Sequence, residues 1–238
     1  MDAAEPDVQP MWPTGASDEY MSARMTLAKA ERELRDRIEQ VAAARRALPK
    51  GAVVEDYALA EGPNDLGRAG PIRKTRLSEL FGDHQSLVVY HLMYHPDDHE
   101  ACPMCSMWVD GFHGVAHHLT QHTAFVVIAK APLPKLRSWA LQRGWDGLRI
   151  LSSHGTSFNA DVRAEHPNGD QRPMMSTFVC DGSTIRHFYT LPANFVDGAE
   201  RGIDLLSPVW NILDLLPTGR GDWYADNDYA GRRRGGQS

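Results

Sequence analysis

The chain has 238 residues, 42% hydrophobic and 24% charged, enough for one large domain or one domain with appendages. A formal net charge of −6 argues against a general nucleic-acid binder, which needs a basic face to neutralise phosphates. No apolar run approaches the ~20 residues that cross a bilayer, Met1 to Met11 lacks the parts of a secretory signal, and three cysteines are too few for a disulfide scaffold, so the expected compartment is the cytoplasm.

Residues 1–16 hold three prolines and are expected to be an irregular tail. Ser17 to Leu48 reads as one long helix, in a helical extension over 17–50. Ser17 caps it, Asp18 and Glu19 suit its positive start, and Pro49 and Gly51 end it. Tyr20, Leu27, Leu34, Val41 and Leu48 recur every seven residues, but their companions Arg24, Glu31 and Arg45 are charged. So thin a seam suits a helix lying on its own domain better than the arm of a homodimer.

Val53 to Tyr57 is a short β-like run, followed by a Gly/Pro/Asn/Asp-rich turn from Gly62 to Pro71. Arg76 to Gly82 reads as one helical turn, and Ser86 to Tyr94 as a buried strand. Ser106 to Gln121 reads as a helix that buries Trp108, Phe112, Val115 and Leu119 along one stripe. A β-branched strand from Thr123 to Ala129 follows. Then comes a helix from Pro134 to Arg143, with Leu136, Ala140 and Leu141 inward and Gly144 ending it. Leu148 to Leu151 is a short strand. Met174 to Val179 and Thr184 to Thr190 form a hairpin turning at Asp181-Gly182. Ile203 to Leu216 reads as a closing helix. A flexible tail from 222 to 238 carries the basic run Arg232-Arg233-Arg234.

From Ser86 onward the order is strand–helix–strand–helix–strand–hairpin–helix. The alternating half implies parallel strands with helical crossovers, and the later half adds an antiparallel pair. The expected fold is therefore α/β: a thioredoxin-like mixed sheet flanked by helices over residues 51–221, with a long N-terminal helix.

Between the first core strand and its helix lies Cys102-Pro103-Met104-Cys105. A thiol attacks only as thiolate, and an ordinary cysteine titrates near ~8.5. At a helix N-terminus, unpaired N–H groups and the helix dipole stabilise that anion. Pro103 fits the first turn, where its missing N–H is not needed. Cys105 lies one turn along, placed to resolve a mixed disulfide formed on Cys102. Strand, dithiol and helix in this order point to redox chemistry. Pro173, before a later strand, reads either as a cis-proline facing the dithiol or as an ordinary first residue of a strand. Cys180 reads as a small buried residue, and Trp108 as core.

Of 11 histidines, His91, His95, His99, His113, His117, His118 and His122 lie near the motif. His99-x-x-Cys102-x-x-Cys105 offers three soft ligands for zinc or copper. Alternatively His99 stabilises the Cys102 thiolate, or is a plain surface histidine. The pairs His113/His117 and His118/His122 have helical i, i+4 spacing but fall on different faces, so solvated histidines are the better reading. Ser152, Ser153, Ser157 and Asn159 form a polar loop after a strand, without assigned chemistry.

The stretch His95 to Trp108, with Asp110 and Gly111, resembles the thioredoxin-like "domain of unknown function 899" family. Ala43 to Pro49, Lys130 to Leu133 with Lys135-Leu136, Ser152 to Asn159 and Asn211 to Arg220 extend the likeness over about residues 20 to 229. His95, Asp98 and His99 depart from its usual Gly, Trp or Phe. The resemblance implies a thioredoxin-like fold and a predicted dithiol–disulfide oxidoreductase that needs no cofactor and acts on a protein or small-molecule disulfide. Thr75 to Phe81 also resembles the entry to peroxiredoxins, which adds peroxidase activity as an expectation. A metal-binding module built on Cys102, Cys105 and His99 or His95, and a non-catalytic scaffold, are the alternatives.

Overall fold

A computed structural model describes residues 11–194 and 204–228. The chain divides into two compact units, Met1–Pro49 and Lys50–Ser238. The first contains α1 (Asp18–Arg46), capped by the Ser17 hydroxyl, which accepts from the Tyr20 N–H at 3.2 Å. Asp18 and Glu19 open the helix and Arg45 and Arg46 close it, so both ends suit the dipole. Tyr20, Leu27 and Leu34 of the heptad seam are exposed.

The second unit is built on one sheet of seven strands: β1 (Ala58–Glu61), β2 (Arg73–Arg76), β3 (Ser86–Leu92), β4 (Ala124–Ala129), β5 (Arg149–Ser152), β6 (Met174–Asp181) and β7 (Thr184–Pro192). Their spatial order is β2-β1-β5-β4-β3-β6-β7. β3, β4 and β5 are parallel, while β6–β7 on one side and β1–β2 on the other are antiparallel. The helices α2 (Pro103–Leu119) and α3 (Leu133–Arg143) are the crossovers between the parallel strands. This is the expected thioredoxin-like α/β plan.

The continuous apolar runs of β3 and β4 follow from burial on both faces. Side chains alternate across a strand. Tyr90 and Leu92 of β3, with Phe125, Val127 and Ala129 of β4, join the core with Val109, Phe112 and Trp139. Leu87, Val89, Val126 and Ile128 join the opposite core with Leu59, Phe158 and Phe178.

Several expectations change in detail. Val53–Tyr57 forms no strand: Val53 makes an isolated bridge to Arg186, the Val54 N–H donates to the Ile185 carbonyl at 2.9 Å, and the strand begins at Ala58. α2 begins at Pro103, because Cys102 itself is the cap. Its buried stripe is Cys105, Trp108, Val109, Phe112 and Ala116; Val115 is 45% exposed. Leu141 is also exposed, although Gly144 ends α3 in the left-handed conformation as expected. The closing helix is interrupted at Ser207-Pro208. A 3-10 turn Asp204–Leu206 precedes α5 (Pro208–Leu213), which takes Ser207 as cap and Pro208 as its first residue. Only Trp210 of that helix is buried. Ile203 and the Arg232-Arg233-Arg234 run lie outside the described residues.

β2 was not anticipated, because Arg-Lys-Thr-Arg has no apolar pattern. It is held by Glu61, whose buried carboxylate takes ion pairs from Arg73 and Arg149 and a 2.6 Å hydrogen bond from Thr75. Burial pushes the Glu61 carboxyl up, but those donors outweigh it and keep its pKa below the usual value.

Candidate active site

β3 delivers the chain to the dithiol. The Cys102 N–H donates to the Met93 carbonyl at 3.0 Å, which folds the intervening loop back onto the strand end. Cys102 then caps α2. Its carbonyl accepts the Ser106 N–H at 2.9 Å, and its Sγ accepts the Cys105 N–H at 3.5 Å. A capping thiol in place of the usual hydroxyl is a poor cap when protonated and a good one as an anion. Both cysteines are reduced; Cys105 is buried and Cys102 half-buried.

The two thiols titrate oppositely. The Cys105 S–H donates to the Cys102 sulfur, and with the Cys105 and Met104 N–H groups this brings the Cys102 pKa down to about 6, against burial and the Asp98 charge. Cys105 is pushed well above the usual thiol value, first by that hydrogen bond and then by burial. Beside Cys105 lies the buried Tyr90 hydroxyl, which faces the Cys105 thiol, with the Tyr90 ring 5.1 Å from that of Phe112. Burial raises its pKa well above the ordinary phenol value, so it is a donor and not a base.

The other expected site residues fall differently. Pro173 lines the same cavity as both cysteines, yet its peptide bond is trans, and the described residues contain no cis bond. Its carbonyl accepts the Ala193 N–H at 2.9 Å, locking the start of β6 to the end of β7. Neighbouring Gln171 accepts the Tyr94 N–H at 2.7 Å, which ties this segment to the loop before Cys102.

His99 is exposed and lines neither cleft beside Cys102; only its carbonyl is engaged, by the Tyr94 hydroxyl at 3.2 Å. It is held away because Lys135 donates to the Pro96 and Asp98 carbonyls and pins the turn outward. The carboxylate facing the thiolate across this turn is Asp98, whose charge opposes ionisation. Among the described residues no His, Cys, Asp or Glu side chains gather as a metal site. His113 instead meets Asp146 at 3.2 Å, and the His117 and His118 rings lie 3.8 Å apart. Cys180 is half-buried, its thiol donating to the Gly182 carbonyl at 3.0 Å in the hairpin turn. The serine loop is structural: Ser152 bonds the Ala131 carbonyl and Ser153 bonds Asn159.

Two clefts meet at Cys102. One, lined by Asp98, Glu100 and Asp170, is acidic. The other is a cavity of about 640 Å³ walled by both cysteines, Trp108 and, from the C-terminal segment, Trp210, Arg220 and Trp223. No local sequence pattern points to that wall. Trp223 packs edge-on against Trp210 at 5.5 Å, and Arg220 lies over the Trp210 ring at 4.7 Å while pairing with Asp214. The tail expected from residue 222 is anchored as far as 228: Ala225 is buried, and the Asn227 side chain donates to Glu100 and to the Ala101 carbonyl.

A mixed sheet with helical crossovers between its parallel strands defines a thioredoxin-like protein, and here Cys102 caps the first crossover helix. The chain belongs to the family described as "Bacterial protein of unknown function (DUF899)", whose model matches residues 10–233. No curated protein matches. Among solved structures, the chain is similar to Peroxidoxin BcpB from Mycobacterium tuberculosis, at 20% identity and a TM-score of 0.45, covering 67% of this chain and 94% of the other. It is also similar to a reduced 2-Cys peroxiredoxin from Plasmodium vivax, at 13% identity and 0.46, covering 66% and 95%. A putative thioredoxin reductase from Burkholderia cenocepacia matches at 15% and 0.45, covering 61% and 87%.

Proposed function

We propose that the protein is a dithiol–disulfide oxidoreductase with Cys102 as nucleophile and Cys105 as resolving thiol. The observation that carries this is the opposite tuning of two adjacent thiols, one ionised near neutrality and one held protonated. A nucleophile needs the first property, and a thiol that waits its turn needs the second.

The Cys102 thiolate attacks a substrate disulfide R–S–S–R, forming Cys102–S–S–R and releasing R–S⁻. Once the Cys102 charge is spent in that bond, the main influence holding up the Cys105 pKa is gone. Cys105 gives up its proton to solvent, attacks the Cys102 sulfur to close the Cys102–Cys105 bond, and expels the second R–S⁻. The substrate gains two electrons and the protein ends as the Cys102–Cys105 disulfide. The reverse sequence oxidises a dithiol partner.

Pro173 serves as a fixed wall of the site; His99 has no part in this reading. The compartment we assign is a reducing cytoplasm, in which a transient disulfide is functional and not structural.

An equilibrium redox titration of the Cys180→Ser protein, read by mass after alkylation, tests this. A reversible two-electron couple between ~−270 and ~−120 mV is expected. Cys105→Ser should trap mixed disulfides on Cys102, and Cys102→Ser should form none. Absence of a Cys102–Cys105 disulfide at every poise refutes the proposal.

A further inference from the structure

The acidic cleft and the aromatic cavity give the two sides of Cys102 opposite characters, so a bound disulfide meets different chemistry at each half. The cavity, at about 640 Å³, is of the size that encloses small organic ligands. Its walls combine the buried indoles of Trp108 and Trp210 and the exposed indole of Trp223 with the thioethers of Met93 and Met104. The exposed Trp223 ring is the surface that can stack a planar group.

Charge is the second independent observation. Among the described residues the charged side chains lining the cavity are Arg172 and Arg220, and no carboxylate joins them, in a chain whose net charge is −6. Arg220 is paired with Asp214 and serves as a platform over Trp210. Among the described residues Arg172 makes no ion pair, and its guanidinium has a single hydrogen bond, at 3.4 Å to the Arg163 carbonyl. A planar guanidinium with spare donors beside an aromatic slot fits a carboxylate or similar oxyanion on a flat organic group. Across Cys102, the cleft lined by Asp98, Glu100 and Asp170 offers that anion no guanidinium partner, so the cavity is the half-site for the anionic group.

Resting on the dithiol reading, we propose that the preferred substrate is a small organic disulfide carrying an aromatic, anionic half, seated against Trp223 in the cavity that Trp108 and Trp210 also line, with its charge on Arg172. Attack by Cys102 breaks the S–S bond, joins one half to Cys102, and releases the other as thiolate. Cys105 then releases the first half, and the two electrons come from the dithiol.

Single-turnover kinetics of the reduced Cys180→Ser protein test this with three probes: dithionitrobenzoate, an aromatic dianion; dithiodipyridine, aromatic and neutral; and cystamine, an aliphatic dication. Each rate is divided by that of a small free thiol of similar acidity, which removes intrinsic reactivity. The expected normalised order is dianion, neutral aromatic, dication, spanning at least about tenfold. Arg172→Gln should lower the dianion-to-neutral ratio about fivefold to tenfold, and added salt should shrink the same ratio. Trp223→Ala should lower the ratio of either aromatic probe to cystamine. Normalised rates that are equal across the probes, or ratios unmoved by Arg172→Gln and Trp223→Ala, overturn the substrate assignment while leaving the dithiol chemistry standing. No thiol release from any probe overturns both.

Discussion

Replacing Cys105 by Ala tests how the Cys102 thiolate is stabilised. The thiolate accepts from the Cys105 S–H and from two backbone N–H groups of the first helical turn, and its pKa stands at about 6. A hydrogen bond to a charged group contributes about 1.5–3 kcal/mol, and a pKa unit is about 1.4 kcal/mol, so loss of the Cys105 donor should raise the Cys102 midpoint by about 1–2 units. At pH 6.5 the thiolate fraction then drops from about 75% to between about 25% and about 3%. Alkylation by iodoacetamide, followed against pH in a Cys180→Ser background, should slow by about 3-fold to 25-fold at that pH. Cys105→Ser restores a donor of similar reach, and its midpoint should return most of the way. A Cys105→Ala midpoint within about half a unit of its parent refutes the reasoning and assigns the anion's stability to the helix terminus alone.

Three further outcomes are expected. His91 is buried against Ser176 and Phe158, with its pKa lowered to about 3 by burial and by His187. It stays neutral in the fold and charges near ~6.5 when unfolded, so its contribution is complete above ~6.5 and falls by about 1.4 kcal/mol per unit as pH drops toward 3; His91→Gln should flatten that slope in urea titrations, and an unchanged slope counts against it. Asp110, half-buried, accepts 2.5 Å and 2.7 Å bonds from buried Arg143 and the Trp145 indole, so Asp110→Ala should destabilise the fold by about 1.5–3 kcal/mol in chemical denaturation; a loss under about 0.5 kcal/mol would be inconsistent with charge-assisted bonds to a buried guanidinium. Tyr90→Phe removes the hydroxyl that donates to the Cys105 anion, so release of the second thiol should slow; unchanged release would assign Tyr90 a packing role only.

Periodicity carried most of the fold. The two-sided apolar runs of β3 and β4, the Asp181-Gly182 turn and the Gly144 stop were legible because each rests on local chemistry. β2 was not, because its stability comes from a carboxylate distant in sequence, Glu61, and not from its own side chains. The break at Ser207-Pro208 was written in cap-and-proline code, but the apolar spacing from Ile203 to Leu216 overrode it. At the site, the dithiol announced itself by spacing. The aromatic wall did not, since Trp210, Arg220 and Trp223 meet Cys102 only through tertiary folding. His99 misled for the converse reason: nearness in sequence said nothing of the Lys135 anchor that turns its loop outward.

The origin of that aromatic wall has a consequence for biosynthesis. Trp210 follows Cys105 by 105 positions, about 5–20 s of translation at ~5–20 residues per second. Throughout that interval the nascent chain presents two thiols with Trp108 beside them but without the Trp210 and Trp223 of the finished wall. That open phase ends once the closing segment is made and Asn227 docks on Ala101.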